Sequence, residues 1–132
     1  MKKEEHYLQI AIHKLLTYAG IFHFAIPNGG ARNLKVAMSL KAEGVLAGAS
    51  DLVLVLENRI VFVELKNGKV GRQSEHQKSF QNEVEKRGFE YVIWRNIEDC
   101  EDFLKKINQE NQELIKRIQE IIKKMKNNEK SC

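Results

Sequence analysis

The pattern of apolar and polar residues divides the chain into alternating helices and strands. Two consecutive apolar runs, at 51–56 and 60–66, are typical of adjacent β-strands, and the segment Glu57-Asn58-Arg59 between them predicts a tight hairpin connection. Both faces of the 51–56 run are apolar, which indicates a central strand of the sheet. The middle of the chain therefore predicts the core of a β-sheet.

Weaker patterns on either side complete a mixed α/β layer fold. Helical spacing and turn residues predict helices at 4–19, 33–42 and 75–87, strands at 22–26 and 91–94, and a long helix at the C-terminus. Ser74 is the expected N-cap of the helix that Gly88 ends. The predicted core order is helix, strand, hairpin of two strands, helix and strand.

Charged residues stand at the ends of the two central strands. Asp51 begins the first strand, and Glu64 and Lys66 end the second on one strand face, because side chains alternate in direction. In a short antiparallel hairpin these ends meet, and two adjacent carboxylates repel each other unless a cation lies between them. Mg²⁺ takes one or two carboxylates and keeps several waters. We therefore expect Mg²⁺ or Mn²⁺ on Asp51, Glu64 and the Leu65 carbonyl oxygen.

Lys66 and Gln77 add further polar groups to this site. Lys66 is expected to face a scissile phosphate or the attacking water as a compact positive charge. Gln77 shares a helical stripe with Phe80 and Val84, so its side chain is expected to point towards the sheet and bind the water or phosphate. Each charge alone is typical of a solvated strand end. Together they favour phosphodiester hydrolysis by metal-activated water.

Five short motifs follow one another in a characteristic order over roughly residues 4–97. They are Glu5-His-Tyr-Leu-Gln9, Ala25-Ile-Pro-Asn-Gly-Gly30, Lys41-Ala-Glu-Gly-Val-Leu-Ala-Gly-Ala-Ser-Asp51, Val63-Glu-Leu-Lys66, and Ser74-Glu-His-Gln77 followed by Gly88. In this order and spacing the sequence resembles the VRR-NUC branch of the PD-(D/E)xK nuclease superfamily, especially its small stand-alone phage-type members. Each motif is weak by itself, and the resemblance depends on all five being in register.

The resemblance implies a restriction-endonuclease-like αβββαβ core, a mixed central sheet flanked by helices, at residues 1–97. It also implies a divalent-metal site and cleavage of a DNA phosphodiester. By position, Asp51 and Glu64 correspond to the metal ligands, Lys66 to the catalytic lysine and Gln77 to the helix glutamine of the family.

Glu5 and Ser50 are two further positions of the resemblance. Glu5 corresponds to an acidic residue of the first helix that reaches the metal through water; Glu4 is the alternative, and an exposed carboxylate near the helix N-terminus is the structural alternative. The family usually has proline before the aspartate, and Ser50 stands there in this chain. Since proline would stiffen the strand entry without touching the metal, we expect altered geometry or rate and retained activity.

A polar surface beside the proposed site is expected to bind DNA. Its predicted members are Asn28, Gly29, Gly30, Arg32, Lys69, Arg72 and His76. Backbone amides of the glycine-rich stretch suit phosphate contacts, and a basic rim supplies salt-dependent affinity independent of sequence. The alternative is that these side chains are scattered and solvated.

The C-terminal segment, residues 98–132, predicts an amphipathic helix with a heptad seam. Apolar residues fall alternately three and four apart, at Leu104, Ile107, Leu114, Ile118, Ile121 and Met125. Asn111 occupies the polar position in that row, where it would fix the register of a partner helix. Ile115 and Ile122 widen the stripe. We expect a homodimer through this helix; the alternative is that the helix covers its own core.

Composition adds little beyond these patterns. The 132 residues are 42% hydrophobic and 30% charged, which is ordinary for a globular chain of one domain and excludes extensive disorder. No run approaches the roughly 20 apolar residues of a membrane helix, and the N-terminus shows no signal-peptide pattern, so we expect a cytoplasmic protein, in the host cytoplasm if phage-encoded. The net charge of +4 is compatible with a nucleic-acid partner. Two cysteines exclude a disulfide framework.

The function expected from the sequence is a metal-dependent DNA endonuclease, structure-directed, acting in replication, recombination or repair of phage or mobile DNA. One alternative is a non-catalytic nucleic-acid-binding module on the same fold, with Ser50 as a mark of decay. Another is an interaction subunit that works through the C-terminal helix.

Overall fold

A computed structural model of the chain describes residues 3–27, 33–68 and 71–130. Its helices and strands are α1 Lys3–Tyr18, β1 His23–Ala25, α2 Leu34–Ala42, β2 Leu52–Leu56, β3 Arg59–Leu65, α3 Glu75–Glu85, β4 Glu90–Trp94 and α4 Ile97–Lys130. The predicted mixed α/β fold with a long C-terminal helix is confirmed. Strand β3 begins at Arg59, so the hairpin connection is one residue shorter than the sequence predicted.

The sheet has the order β1-β2-β3-β4. Strand β2 pairs antiparallel with β1 and with β3, whereas β3 and β4 are parallel. The two patterns follow from the connections: a tight turn with Asn58 at φ 59° joins β2 to β3, and α3 crosses over between β3 and β4. The ends of β2 and β3 therefore lie side by side, next to the start of the crossover.

One sheet face forms the deepest part of the core. Leu52, Leu54, Val61 and Val63 have at most 1% of their surface exposed, and they point to one face because directly paired residues share a face. Helix α1 lies against β3 and is itself anchored by buried side chains. Burying a side chain of this size stabilises the fold by about 1.5–3 kcal/mol, so Leu54→Ala should destabilise it by about 2–5 kcal/mol.

Helix α3 covers the opposite face of the sheet. Phe80 packs edge-on against Phe62 of β3 at 5.5 Å between ring centroids and against Tyr91 of β4 at 6.1 Å. These aromatic contacts fix the helix over the strand face that also carries Glu64, two residues after Phe62. The predicted inward stripe of α3 is confirmed at Phe80 and Val84, the latter only 8% exposed.

Contacts divide the chain into two compact units, Met1–Ile97 and Glu98–Cys132. In the described part of the second unit, the chain continues α4 as far as Lys130. Its large apolar side chains from Leu114 to Met125 are 45–59% exposed and form one stripe along the helix: Leu114, Ile115, Ile118, Ile121, Ile122 and Met125. Among the described residues, no helix is both long enough and apolar enough to cross a membrane.

Candidate active site

The register of the central hairpin places Asp51 opposite Glu64. Leu52 pairs with Val63, so the next position of the same antiparallel register sets Asp51 beside Glu64 on one face. The backbone N–H of Leu65 donates a hydrogen bond of 2.7 Å to Oδ2 of Asp51. Because the N–H and C=O of a strand residue point to the same side, the Leu65 carbonyl also points towards the Asp51 strand. Asp51 and Glu64 therefore converge at one end of the sheet, and the Leu65 carbonyl as a third metal ligand stays a prediction.

Ser50 shapes the entry to β2. Its side chain is completely buried, and its hydroxyl donates a 3.1 Å hydrogen bond to the carbonyl oxygen of Leu52. This bond ties the residue before Asp51 to the strand after it. A side-chain hydrogen bond thus fixes the backbone at the residue before Asp51.

Glu64 is a buried carboxylate with two polar side chains at one oxygen and no hydrogen-bond donor at the other. The residue is 2% exposed. Its Oε1 accepts a 2.9 Å hydrogen bond from Nε2 of Gln77 and lies 3.8 Å from Nζ of Lys66. Its Oε2 is buried and receives no hydrogen bond. A buried carboxylate oxygen without a donor is costly, so this atom is the natural contact for a cation or a proton.

The start of α3 fixes the direction of the Gln77 side chain. Ser74 and Gln77 form a capping box, in which the Gln77 N–H donates to Ser74 Oγ at 3.2 Å and the Ser74 N–H donates to Gln77 Oε1 at 2.9 Å. With the amide oxygen occupied, the amide nitrogen faces Glu64. Gln77 points towards the sheet as the helical stripe predicts, but its amide holds the Glu64 carboxylate, whereas the sequence predicted a contact with the water or phosphate.

The environment raises the pKa of both carboxyl groups. Burial, followed by the negative charge of Asp51, raises the pKa of Glu64 from 4.5 to about 8. Burial also raises the pKa of Asp51, against the lowering effect of the Leu65 N–H and of hydrogen bonding with Glu64. The charge of Glu5 raises both pKa values and the charge of Lys66 lowers both. Glu5 and Lys66 therefore belong to the same electrostatic cluster as the carboxyl pair.

The donor set fits a hard divalent cation. Two ionised carboxylates in contact offer only acceptors, so the pair needs either a shared proton or a positive ion, and Oε2 of Glu64 is left over to receive it. Two carboxylates and a backbone carbonyl, with water filling the other positions, are ligands that Mg²⁺ and Mn²⁺ accept. Within residues 3–27, 33–68 and 71–130, no group of three or more His, Cys, Asp or Glu side chains is placed to hold a metal ion, so Asp51 and Glu64 would need backbone oxygen or water to complete the set.

The segment that follows Lys66 is held by Arg95, a residue that the sequence analysis did not single out. Nη1 of Arg95 donates to the carbonyl oxygens of Gly68 at 2.8 Å and Gly71 at 2.6 Å. A Cβ on Gly71 would lie 3.1 Å from the Cβ of Lys66, which shows how closely the returning backbone packs on this lysine. Arg95 therefore supports the position of Lys66 through the loop.

Gly48 is a second residue whose role the sequence analysis did not identify. It has φ +86°, and a Cβ at this position would lie 2.4 Å from the carbonyl carbon and oxygen of His76 and 2.8 Å from the backbone nitrogen of Gln77. Only glycine permits both this backbone conformation and this approach. The loop that leads to Asp51 is consequently packed directly against the first turn of α3, which carries Gln77.

The predicted DNA-binding residues are only partly within the described structure. Arg72 and His76 are exposed, and His76 directly precedes the Gln77 that binds Glu64; their contact with DNA stays a prediction. The other predictions, Asn28, Gly29, Gly30, Arg32 and Lys69, fall outside the described residues and stay predictions.

Comparison with known proteins identifies the fold. No family model and no curated protein matches the sequence. Several solved structures are similar to it. One, described as "VRR_NUC domain", has a TM-score of 0.60 and 19% identity over 79% of this chain and 97% of its own. Another, described as "VRR_NUC domain protein", has a TM-score of 0.63 and 16% identity over 80% of this chain and 88% of its own. The fold predicted from the family resemblance is confirmed.

Proposed function

We propose, from the fold shared with VRR_NUC domain structures, that this chain is a metal-dependent endonuclease that hydrolyses DNA phosphodiester bonds. The observation that supports this most directly is the pairing of Asp51 and Glu64 beside Lys66, with one Glu64 oxygen buried and without a donor. A purely structural sheet gains nothing from two mutually repelling carboxyl groups. The function therefore explains an arrangement that stability does not.

Asp51, Glu64 and the Leu65 carbonyl would hold Mg²⁺ or Mn²⁺. Such an ion, when bound, lowers the pKa of a coordinated water and neutralises the charge that develops on the phosphate. Lys66 is 3.8 Å from Glu64 and supplies a fixed positive charge for the attacking water or the scissile phosphate. Gln77 holds Glu64 in its ligating orientation, and Glu5 reaches the same cluster through water.

DNA is the proposed substrate, with branched or nicked structures preferred. Arg72 and His76 are proposed to contact the backbone near the cleavage point, together with Lys69 and the stretch formed by Asn28, Gly29, Gly30 and Arg32. Such contacts would give salt-dependent affinity that is independent of sequence. The site's own carboxylates repel phosphate, so this positive rim is needed for productive binding.

Cleavage of supercoiled plasmid and of a panel of branched oligonucleotides in Mg²⁺, Mn²⁺ or EDTA tests the proposal. We expect nicking in Mg²⁺ or Mn²⁺ and none in EDTA. Lys66→Ala and Asp51→Asn should each abolish nicking while the circular dichroism spectrum is retained. Lys78→Ala is the matched control, because Lys78 is an exposed lysine that pairs only weakly with Glu75, at 3.5 Å. DNA binding without cleavage in any metal would favour the non-catalytic alternative.

A homodimer through α4 completes the proposal. The exposed stripe from Leu114 to Met125 and Asn111 in the same seam fit a second copy of the helix. We expect the chain to sediment as a dimer and Ile118→Asp to sediment as a monomer, with Lys116→Asp on the polar face as the control. A wild-type chain that sediments as a monomer at micromolar concentration contradicts the dimer but leaves the nuclease proposal intact.

A further inference from the structure

A cavity of about 680 Å³ lies between α2, the loop after it and the first turn of α3. Its lining includes Leu40 and Lys41 of α2, Val45 and Leu46 of the loop, and His76 of α3. The walls are mostly aliphatic, and Lys41 and His76 contribute polar groups. The volume falls within the roughly 300–1,000 Å³ range of small-ligand sites. The cavity is thus large enough for one nucleotide and has both apolar and cationic surfaces.

The wall formed by α2 is built into the backbone. The helix ends in a Schellman motif: the Gly44 N–H donates to the Lys41 carbonyl and the Val45 N–H to the Leu40 carbonyl, each at 3.0 Å. Gly44 has φ +103°, the left-handed conformation that this motif requires. Val45 and Leu40 are the pair whose apolar contact usually accompanies the motif. The wall is therefore formed before any ligand binds.

The opposite wall is fixed by the contact between Gly48 and His76. Because the backbone of His76 leaves no space for a Cβ on Gly48, the loop after Ala47 holds the backbone of His76 in place. The His76 side chain is exposed and lines the cavity. An imidazole face is one of the surfaces on which unpaired bases stack.

The cavity adjoins the candidate active site along two stretches of chain. His76 is followed by Gln77, whose amide binds Glu64. Ala47, which also lines the cavity, is four residues before Asp51 in the sequence. Four extended residues span at most about 14 Å, the rise of about four nucleotides along one strand. A ligand in the cavity can therefore belong to the same DNA molecule whose phosphate is at the carboxyl pair.

We propose that this cavity binds one unpaired nucleotide of the DNA, close to the bond that is cleaved. The proposal rests on the proposed function and names its substrate class: DNA with an extrahelical or unpaired nucleotide at a junction, bulge or flap. The aliphatic walls and the His76 ring receive the base, and the Lys41 ammonium pairs with its phosphate. A fully paired duplex keeps its bases stacked and leaves the cavity empty. The cavity thus provides discrimination without reading a sequence.

Binding measured in EDTA separates this proposal from catalysis. The probe is a duplex with a single unpaired 2-aminopurine, and its control has the same base paired. We expect the full-length chain to bind the unpaired probe about fivefold tighter or more, the low end of what one stacked base contributes, with a change in 2-aminopurine fluorescence. Leu46→Asp should remove the preference. Leu34→Asp, at a 76% exposed position of α2 outside the cavity lining, should keep it.

A second pair of variants keeps the proposal testable if Leu46→Asp does not fold. Lys41→Gln should weaken the preference, whereas Lys35→Gln, on the same helix but outside the lining, should not. Equal affinity for the two probes, or equal effects of Leu46→Asp and Leu34→Asp, overturns the proposal. The proposal is also overturned if Leu46→Asp changes the oligomeric state but keeps the preference for the unpaired probe, because the cavity would then be a protein interface. Discrimination without cleavage of either the plasmid or the branched oligonucleotides in Mg²⁺ or Mn²⁺ refutes the nuclease, whereas cleavage without discrimination refutes only the cavity proposal.

Discussion

Replacement of Gly48 by alanine tests whether the loop before Asp51 and the start of α3 form one rigid site. The new Cβ would lie 2.4 Å from the His76 carbonyl group, and ordinary contact begins near 3.4 Å. The first turn of α3 therefore has to retreat by about 1 Å, since the loop is tied to Asp51. The Gln77–Glu64 hydrogen bond of 2.9 Å would then lengthen beyond the range in which it contributes.

The expected loss of stability in Gly48→Ala has two parts, and the same substitution at Gly88 allows them to be measured separately. Alanine in the left-handed region costs about 1–2 kcal/mol at either position. Gly88 also has φ +86°, but a Cβ added there would meet no atom within 4 Å, so Gly88→Ala carries only that backbone cost. Gly48→Ala additionally loses a hydrogen bond to a carboxylate, worth about 1.5–3 kcal/mol. A misplacement of about 1 Å at the site lowers the rate by about 100-fold.

Urea denaturation and initial rates of plasmid nicking in Mg²⁺ measure the two effects side by side. We expect Gly88→Ala to lose stability with nearly normal activity, and Gly48→Ala to lose more stability and about 100-fold in rate. Equal losses in both variants would refute the reasoning, because the steric contact with His76 would then have no consequence for Gln77 or Glu64.

Three further predictions concern the groups around the carboxyl pair. Because the folded pKa of Glu64, about 8, exceeds its ordinary 4.5, the metal-free folded state binds an extra proton between these pH values, and stability falls as pH rises through them. Glu64→Gln should remove this fall and gain on the order of a few kcal/mol over the unsubstituted chain at pH 8, as measured by urea denaturation at pH 5 and pH 8. Ser74→Ala should destabilise α3 by about 1 kcal/mol and slow nicking through Gln77, whereas a loss of stability alone would contradict the capping role. Arg95→Met, which removes both hydrogen bonds from Nη1 to the Gly68 and Gly71 carbonyl oxygens, should lower kcat more than DNA affinity; the opposite split would make Arg95 a DNA contact.

The strands and the pairing of Asp51 with Glu64 were predictable from the sequence. Two apolar runs separated by a short polar segment permit few registers, and alternation of side chains then fixes which charges share a face. The Ser74 cap and the inward stripe of α3 were likewise visible, because capping and helical periodicity depend on residues only a few positions apart.

Contacts between distant segments were not predictable in this way. A glycine such as Gly48 predicts freedom in a loop, but its close approach to His76 depends on where α3 comes to lie. Arg95 resembles any basic residue of a DNA-binding surface, yet its guanidinium is used on backbone carbonyls. Ser50 is an ordinary polar residue in the sequence, and only its burial and its bond to Leu52 show that it fixes the entry to β2. Local rules do not specify such long-range packing.

The hydrogen bonds around the carboxyl pair all hold Asp51 and Glu64 in place. Leu65 donates to Asp51, Gln77 donates to Glu64, and the capping box in turn orients Gln77. Each bond lowers the cost of keeping a carboxylate in a buried place, but none of them reaches Oε2 of Glu64. If the purpose of the arrangement were stability alone, one apolar substitution would remove the repulsion, the burial cost and the unpaired oxygen together. The supporting bonds are therefore best understood as holding two acceptors in place for a positive charge that the chain itself supplies only in part, through Lys66.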